Sequence, residues 1–320
     1  MQVLVSVVIP TRGRPQWVVR AVESVFQQSY AQLEAIVVID GPDRDTAFLL
    51  QGIKDDRLHL IMLEENAGGS EARNIGVRAA RGEWVAFLDD DDQWMPTKLA
   101  KQMEAAAGSR AEYPIVSSRL LARGLDAERV LPQRLYVNGE SMADYLFCRK
   151  RFVYGEGLLQ TSTLLTKRKL LIDVPFQKGL NRHQDWDWLL KAARRPDVEV
   201  VMLPEALTLM QVEGQSGSVS RAADWRPSFE WVKSVRRFMS ARAYAFFITT
   251  ECVPRALKCG AGAATILRLL WECVWRGQPG VRQMMLLACF CLIPEGVRKS
   301  LRVITARTTS VAGHRGCVQA

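Results

Sequence analysis

The chain has 320 residues, 48% of them hydrophobic and 24% charged, without an internal repeat or a low-complexity stretch. That is enough apolar material for a substantial core, and it excludes a disordered or fibrous protein. The formal net charge of +9 is carried wholly by the tail: residues 230–320 hold 14 Lys and Arg against 4 acids, and the rest holds 29 against 30, a balance that suits anionic lipid, nucleic acid or plain solubility alike.

Val3 to Ile9 is a β-branched run that suits a strand buried on both faces of a parallel sheet, and Pro10 is expected to end it. Thr11, Arg12, Gly13 and Arg14 interrupt the run, so no signal peptide is predicted. Pro15 to Gln28 has helical apolar spacing, and Ala35 to Ile39 reads as a second buried strand closed by Asp40 and Gly41. Asp43 to Ile53 suits a helix, Leu58 to Leu63 a third strand, Ser70 to Ala80 a helix and Trp84 to Leu88 a fourth strand. Such alternation predicts a doubly wound α/β sheet that binds ligands beyond the carboxyl ends of its strands, where Asp40 and Asp89 fall. Farther on, a helix after Pro96, a strand at Ile115 to Ser118 and a helix at Asp187 to Ala193 are expected.

Beyond Trp225 the chain reads as helical. Arg268, Glu272 and Arg276 form a charged stripe opposite Ile266, Leu267, Leu270, Trp271, Val274 and Trp275. The longest apolar segment, Met284 to Ile293, is about half of the roughly 20 residues of a membrane span, so no transmembrane helix is predicted. Seven cysteines (Cys148, Cys252, Cys259, Cys273, Cys289, Cys291, Cys317) lack paired spacing and read as reduced, cytosolic and mostly packed.

Four carboxylates, Asp89 to Asp92, directly follow a strand that should lie in the core. Adjacent buried carboxylates repel unless a cation compensates, and Mg²⁺ or Mn²⁺ with a bound diphosphate meets that need. A solvated acidic turn, with Asp92 capping the next helix, is the plainer alternative. Asp40 suits recognition of a pyrimidine base or an Asx turn before Gly41. Asn66 to Gly76 joins Gly68 and Gly69 to an expected N-cap at Ser70 and to Arg73, a combination fit for a diphosphate and equally for an ordinary turn and cap. In His183-Gln184-Asp185-Trp186-Asp187-Trp188, Asp185 is placed to act as a base or as an N-cap. Asp185 and Asp187 cannot share a helical face, so one is expected outside the helix. His183 suits a metal, an acceptor or a satisfied ring; Trp186 and Trp188 suit a sugar face or the core.

These pieces, in this order, resemble the inverting family 2 glycosyltransferases over about residues 1–215: Val7 to Pro15, Gln27 to Tyr30, Val37 to Gly41, Asn66 to Gly76, Gly82 to Asp92 and His183 to Asp187. The resemblance implies a GT-A, Rossmann-like mixed sheet flanked by helices in residues 1–225, with a nucleotide-binding half (1–95), an acceptor half (96–225) and a C-terminal helical extension (226–320). It implies a metal-dependent hexosyl transfer using a UDP-, dTDP- or GDP-sugar. Pro10, Thr11 and Arg12 would line the base and ribose site, Asp40 would read the base, and Gly69 and Arg73 would approach the diphosphate. Asp90 would face the ribose, Asp91 would bind Mg²⁺ or Mn²⁺, Asp89 would support them, and Asp185 would be the catalytic base. Gln160, His183, Gln184 and Trp186 are the acceptor candidates, with Glu156 and Thr161 beside them. Asp40-Gly41-Pro42-Asp43 departs from the usual Asp-Asp-Gly-Ser, and the Gln-x-x-Arg-Trp of processive synthases is missing, which favours single transfer.

The expected acceptor is a glycan, a lipid-linked saccharide or a cell-envelope saccharide, reached from the cytoplasm, and the basic extension suits either the inner leaflet or a soluble helical cap or dimer surface. The competing readings are a noncatalytic nucleotide-sugar-binding scaffold and a nucleic-acid enzyme. Against the latter, the tail's cations alternate with core-like apolar residues and no nucleic-acid motif is present.

Overall fold

The computed structural model describes residues 3–124, 128–149, 155–211 and 224–292. The chain forms two compact units, Met1–Ala222 and Ala223–Ala320. The first contains strands β1 (Val5–Thr11), β2 (Leu33–Ile39), β3 (Leu58–Met62), β4 (Trp84–Phe87), β5 (Asp92–Trp94), β6 (Tyr113–Arg123), β7 (Glu128–Leu131), β8 (Leu165–Lys167) and β9 (Val198–Gln211). Its helices are α1 (Pro15–Phe26), α2 (Arg44–Gln51), α3 (Gly69–Ala79), α4 (Lys98–Gly108), α5 (Met142–Phe147), α6 (Arg168–Asp173) and α7 (Gln184–Ala192). The strands join one mixed sheet in the order β3-β2-β1-β4-β8-β6-β9-β5, with β7 on the far half of β6.

Strands β1 to β4 run parallel, and chain order reverses between β1 and β4, which opens a crevice beyond their carboxyl ends. The core beneath it comes from the runs that read as buried strands: Val5, Val7, Ile9, Ala35, Val37, Ile39 and Ala86 pack with Val18, Val22 and Val25 of α1. Pro10 does not end β1 as expected. It pairs in register with Val38, and the strand continues through Thr11. The Val8 carbonyl accepts from Leu88 and that of Thr11 from Asp40, so alternate residues bond alternate neighbours. Pro10 therefore faces the β4 side beyond its last pair, Val8 with Phe87, and its missing N–H costs the ladder nothing.

Ser70 does not cap α3. The cap position is Gly68, at φ 84°, a left-handed conformation that favours glycine. One turn from its end, Gly76 lets α3 lie directly on β1: a Cβ there would sit 2.4 Å from Cγ1 of Val8. The strand expected at Ile115 to Ser118 is the middle of the longer β6, which pairs with β9 along its length, with β8 near its start and with β7 near its end.

The second unit contains α8 (Arg226–Ser234), α9 (Ala241–Phe247), α10 (Val253–Lys258), α11 (Ala263–Gly277) and α12 (Val281–Leu292), with a π-helical turn over Ile248–Cys252 joining α9 to α10. The packed face of α11 is not the whole of its apolar side. Leu269, Glu272, Cys273 and Gly277 are buried, whereas Leu267, Trp271, Val274 and Trp275 are exposed. Two contacts set this rotation: Glu272 accepts from the Tyr244 hydroxyl at 2.7 Å, and Gly277 lies so close to α9 that a Cβ would fall 2.7 Å from that of Ala245. Among the described residues no helix is long and apolar enough to cross a membrane. Among the five cysteines whose side chains are described, Cys252 and Cys273 are buried, Cys148 is half-buried, and Cys259 and Cys289 are exposed. The side chains of Cys291 and Cys317, and residues 293–320 with Ile293, lie outside the described residues.

Gly76→Ala is expected to lower stability by about 1–3 kcal/mol by overpacking against Val8, although the same change inside an open helix would raise it. Denaturant midpoints of the two proteins check the sign.

Candidate active site

A cleft of about 710 Å³ opens at the β1/β4 reversal. Pro10 to Arg14 line it from the end of β1, Asp40 from the end of β2, Gly69 and Arg73 from α3, Asp89 to Asp91 from the end of β4, Thr161 from the 3-10 turn before β8, and Asn181 to Asp185 from the approach to α7 and its first residues. Of the residues singled out in the sequence, Pro10, Thr11, Arg12, Asp40, Gly69, Arg73, Asp89, Asp90, Asp91, Thr161, His183, Gln184 and Asp185 meet here; Glu156, Gln160 and Trp186 are not among the lining residues.

The four consecutive acids are met by five side chains, with Arg14 shared between Asp90 and Asp91. Asp89 accepts from Arg73, and its backbone N–H donates to Ser162 Oγ at 3.0 Å. Asp90 accepts from the Thr11 hydroxyl at 2.8 Å and from Arg14 at 3.0 Å. Asp91 accepts from Arg14 at 2.8 Å. Asp92 turns the other way: it is buried at the start of β5 and accepts from Ser162 Oγ at 2.6 Å and Gln160 Nε2 at 2.7 Å. It therefore caps no helix, because β5 intervenes before α4. Gln160, expected at the acceptor, holds Asp92 instead.

Burial raises the Asp90 carboxyl above its ordinary range, with Arg14 and Thr11 opposing the shift. Asp91 is pushed up to about 6, first by burial and then by the charges of Asp89 and Asp90, partly offset by Arg14. Asp92 is driven well above the usual carboxylate range by burial and by the charges of Asp89 and Asp91.

Arg73 links the acidic cluster to α7. One guanidinium nitrogen donates to Asp89, another to Gln184 Oε1 at 2.6 Å, and the group lies over the Phe176 ring at 5.7 Å. Asp185 and Asp187 both lie in the first turn of α7, contrary to the expectation that one falls outside it. The cap position belongs to His183, at φ 64°, whose ring stacks on Trp186 with centroids 4.8 Å apart. Asp187 is buried and pairs with Lys191 one turn on at 2.6 Å, and Trp188 is buried against Phe176. Asp185 is half-buried at the cleft, and its carboxyl is pushed up to about 6 by burial, against the Trp186 backbone hydrogen bond and the charge of Arg73.

Asp40 accepts from the backbone N–H of Ala67 at 2.7 Å and of Gly68 at 3.0 Å, so it tethers the loop that starts α3 rather than forming an Asx turn. Asp43 caps α2 through Thr46 and also accepts from Gly13 N at 2.8 Å, which ties the Thr11 to Arg14 segment to α2. Arg14, Ser162, Asn181 and Arg182 were not singled out by sequence reading. Arg14 had one usable signal, a second cation in the run that contains Thr11 and Arg12; Ser162, Asn181 and Arg182 had none.

The donor set suits a hard divalent cation. Asp89, Asp90 and Asp91 offer only carboxylate oxygens, and a guanidinium already balances Asp90 and Asp91. Among the described residues no three His, Cys, Asp or Glu side chains form a preformed cage.

Residues 6–158 match the family described as Glycosyl transferase family 2. The chain is 26% identical over 247 residues to the amylovoran biosynthesis glycosyltransferase AmsB of Erwinia amylovora, covering 74% of this chain and 79% of AmsB. It is 37% identical over 122 residues to the putative teichuronic acid biosynthesis glycosyltransferase TuaG of Bacillus subtilis, covering 38% of this chain and 48% of TuaG, about half of that relative's length. Its fold is similar to that of S. aureus TarS 1–349 in complex with UDP-GlcNAc, with TM-score 0.55, 21% identity and coverage of 84% of this chain and 73% of that one.

Ser162→Ala removes one of the two donors on the buried Asp92 carboxylate and the acceptor of the Asp89 N–H. A stability loss of about 1–3 kcal/mol in chemical denaturation is expected, as for a buried polar group left short of a partner.

Proposed function

We propose that this chain, whose residues 6–158 match the family 2 glycosyltransferases, is a glycosyltransferase of that family and transfers one hexosyl unit from a nucleotide-diphosphate sugar to an acceptor hydroxyl, inverting the anomeric configuration. The observation that carries the proposal is that Asp185 and the Asp89 to Asp91 cluster, far apart in sequence, line the same cleft. Asp185 takes the proton of the acceptor hydroxyl as that oxygen attacks the anomeric carbon, and the bond from that carbon to the diphosphate oxygen breaks. Its raised pKa suits a base working near neutral pH.

Pro10, Thr11, Arg12 and Asp40 form the base and ribose side, with Asp90 toward the ribose. Gly69 and the start of α3 bring backbone amides toward the diphosphate, and Arg73 fixes Asp89 and Gln184 relative to each other. Asp91, supported by Asp89, would hold Mg²⁺ or Mn²⁺, which supplies neutralisation of the diphosphate charge as it departs. His183 and Gln184 face the acceptor, and Trp186 supports His183 by stacking. A UDP-, dTDP- or GDP-linked sugar fits as donor; the TarS neighbour is described with UDP-GlcNAc. The acceptor is a saccharide of the cell envelope or a lipid-linked one, with residues 96–225 as its binding half and the basic helical extension holding the protein at the inner leaflet.

Asp185→Asn is expected to keep the thermal shift produced by the preferred nucleotide-sugar and Mn²⁺, and to lose about 10²- to 10⁴-fold in kcat. Near-normal transfer by the variant would refute the assignment. With Mn²⁺ saturating, the wild-type rate is expected to fall as pH drops through about 6: the base must be deprotonated, and a raised pKa places the loss there rather than near 4. A kcat profile over that range checks it.

A further inference from the structure

If the helical unit rests on a membrane, as proposed above, its outward face is the surface that meets the lipid. On α11, Leu267, Trp271, Val274 and Trp275 fall at i, i+4, i+7 and i+8 and so share one helical face. Trp271 is 58% exposed and Trp275 72% exposed, and their indoles stack in parallel with centroids 5.9 Å apart. The next helix repeats the pattern: Val281, Met284 and Met285 at i, i+3 and i+4 are exposed, Val281 at 78%. Neither face is a packing surface of the unit, because Leu269, Glu272, Cys273 and Gly277 fix α11 from behind, and Gln283 and Leu287 are the buried side of α12. Two successive helices that turn their apolar arcs outward are a signature of a binding surface.

Charge selects the partner. From Lys258 to Leu292 the single acid is Glu272, buried against Tyr244 and already paired with Arg276 at 3.6 Å, while Lys258 and Arg268 are exposed. An apolar arc with stacked indoles, on helices with an excess of cations, fits a bilayer interface containing anionic headgroups: the rings settle at headgroup depth and the cations are drawn to phosphate. A second copy of the chain would set like charges against each other. We infer that Leu267, Trp271, Val274 and Trp275, continued by Val281, Met284 and Met285, dock the protein on an anionic lipid surface.

Co-flotation of the full chain with vesicles of phosphatidylcholine alone, or of phosphatidylcholine with phosphatidylglycerol, tests this. Wild type is expected to float with the anionic vesicles and to release as salt rises. Trp271→Ser/Trp275→Ser should lose partitioning by about tenfold or more, since each indole contributes buried apolar area, with unchanged circular dichroism because both sites are exposed. Trp271→Phe/Trp275→Phe should keep floating but lose the quenching of tryptophan fluorescence by brominated lipid. If wild type floats with neither vesicle, the membrane reading itself fails. If the serine pair floats as well as wild type, the membrane reading survives and this face is the wrong one. A change from dimer to monomer in the serine pair, seen by light scattering without vesicles, would give the face to a second copy and overturn the inference.

Discussion

Four consecutive carboxylates at the end of a strand buried in the core must each be balanced, and the cleft is arranged around that requirement. A charge leaving water for the end of a sheet is costly unless it is paired and hydrogen-bonded. Each acid here is met from a different direction: Asp89 by Arg73 of α3, Asp90 by Thr11 of β1, Asp90 and Asp91 together by Arg14, and Asp92 by Gln160 and Ser162. The cluster thus joins the end of β1, α3 and the segment before β8 at one point. The balance is incomplete at Asp91, whose carboxyl stays near 6, and that residual demand for positive charge is what a divalent cation with its diphosphate would meet.

Arg73 connects this electrostatic problem to the proposed chemistry. It touches Asp89 and Gln184, and its charge also lowers the pKa of Asp185 against the pull of burial. It can occupy that place because Gly76 lets α3 lie on Val8 and Gly68 lets the helix start where Asp40 holds its amides. Small residues thereby set the position of a large cation.

In the helical unit one buried hydrogen bond decides which surface is presented. Glu272 turned inward to Tyr244, with Gly277 against Ala245, leaves the tryptophans of α11 outside. Hydrophobicity alone would have placed those rings in a core. The exposed arc follows from satisfying a buried carboxylate and from a close helix approach that only a residue without a side chain permits.

Local pattern was sufficient where one residue's surroundings are set by its neighbours in the chain. Nearly continuous apolar runs marked β1, β2 and β4 because a strand covered on both faces has hardly any polar side. Their carboxyl ends then located Asp40 and the acidic cluster, and the order of the motifs carried the resemblance to a family. Partnerships were not legible. Asp92 looked like a cap, but its place in β5 depends on pairing with β9, over a hundred residues away. Pro10 looked like a terminus because its missing N–H matters only relative to where β4 stops. Arg14 carried no periodicity, and its role arises only when β1 and β4 lie side by side. The sequence by itself determined which segments are strands, where the acids stand and which family's motifs they resemble, since these rest on alternation and order along the chain. Only the tertiary structure decided which cation meets which acid, which way Asp92 turns and which face of α11 meets solvent, because each of those depends on groups that folding alone brings within a few ångströms.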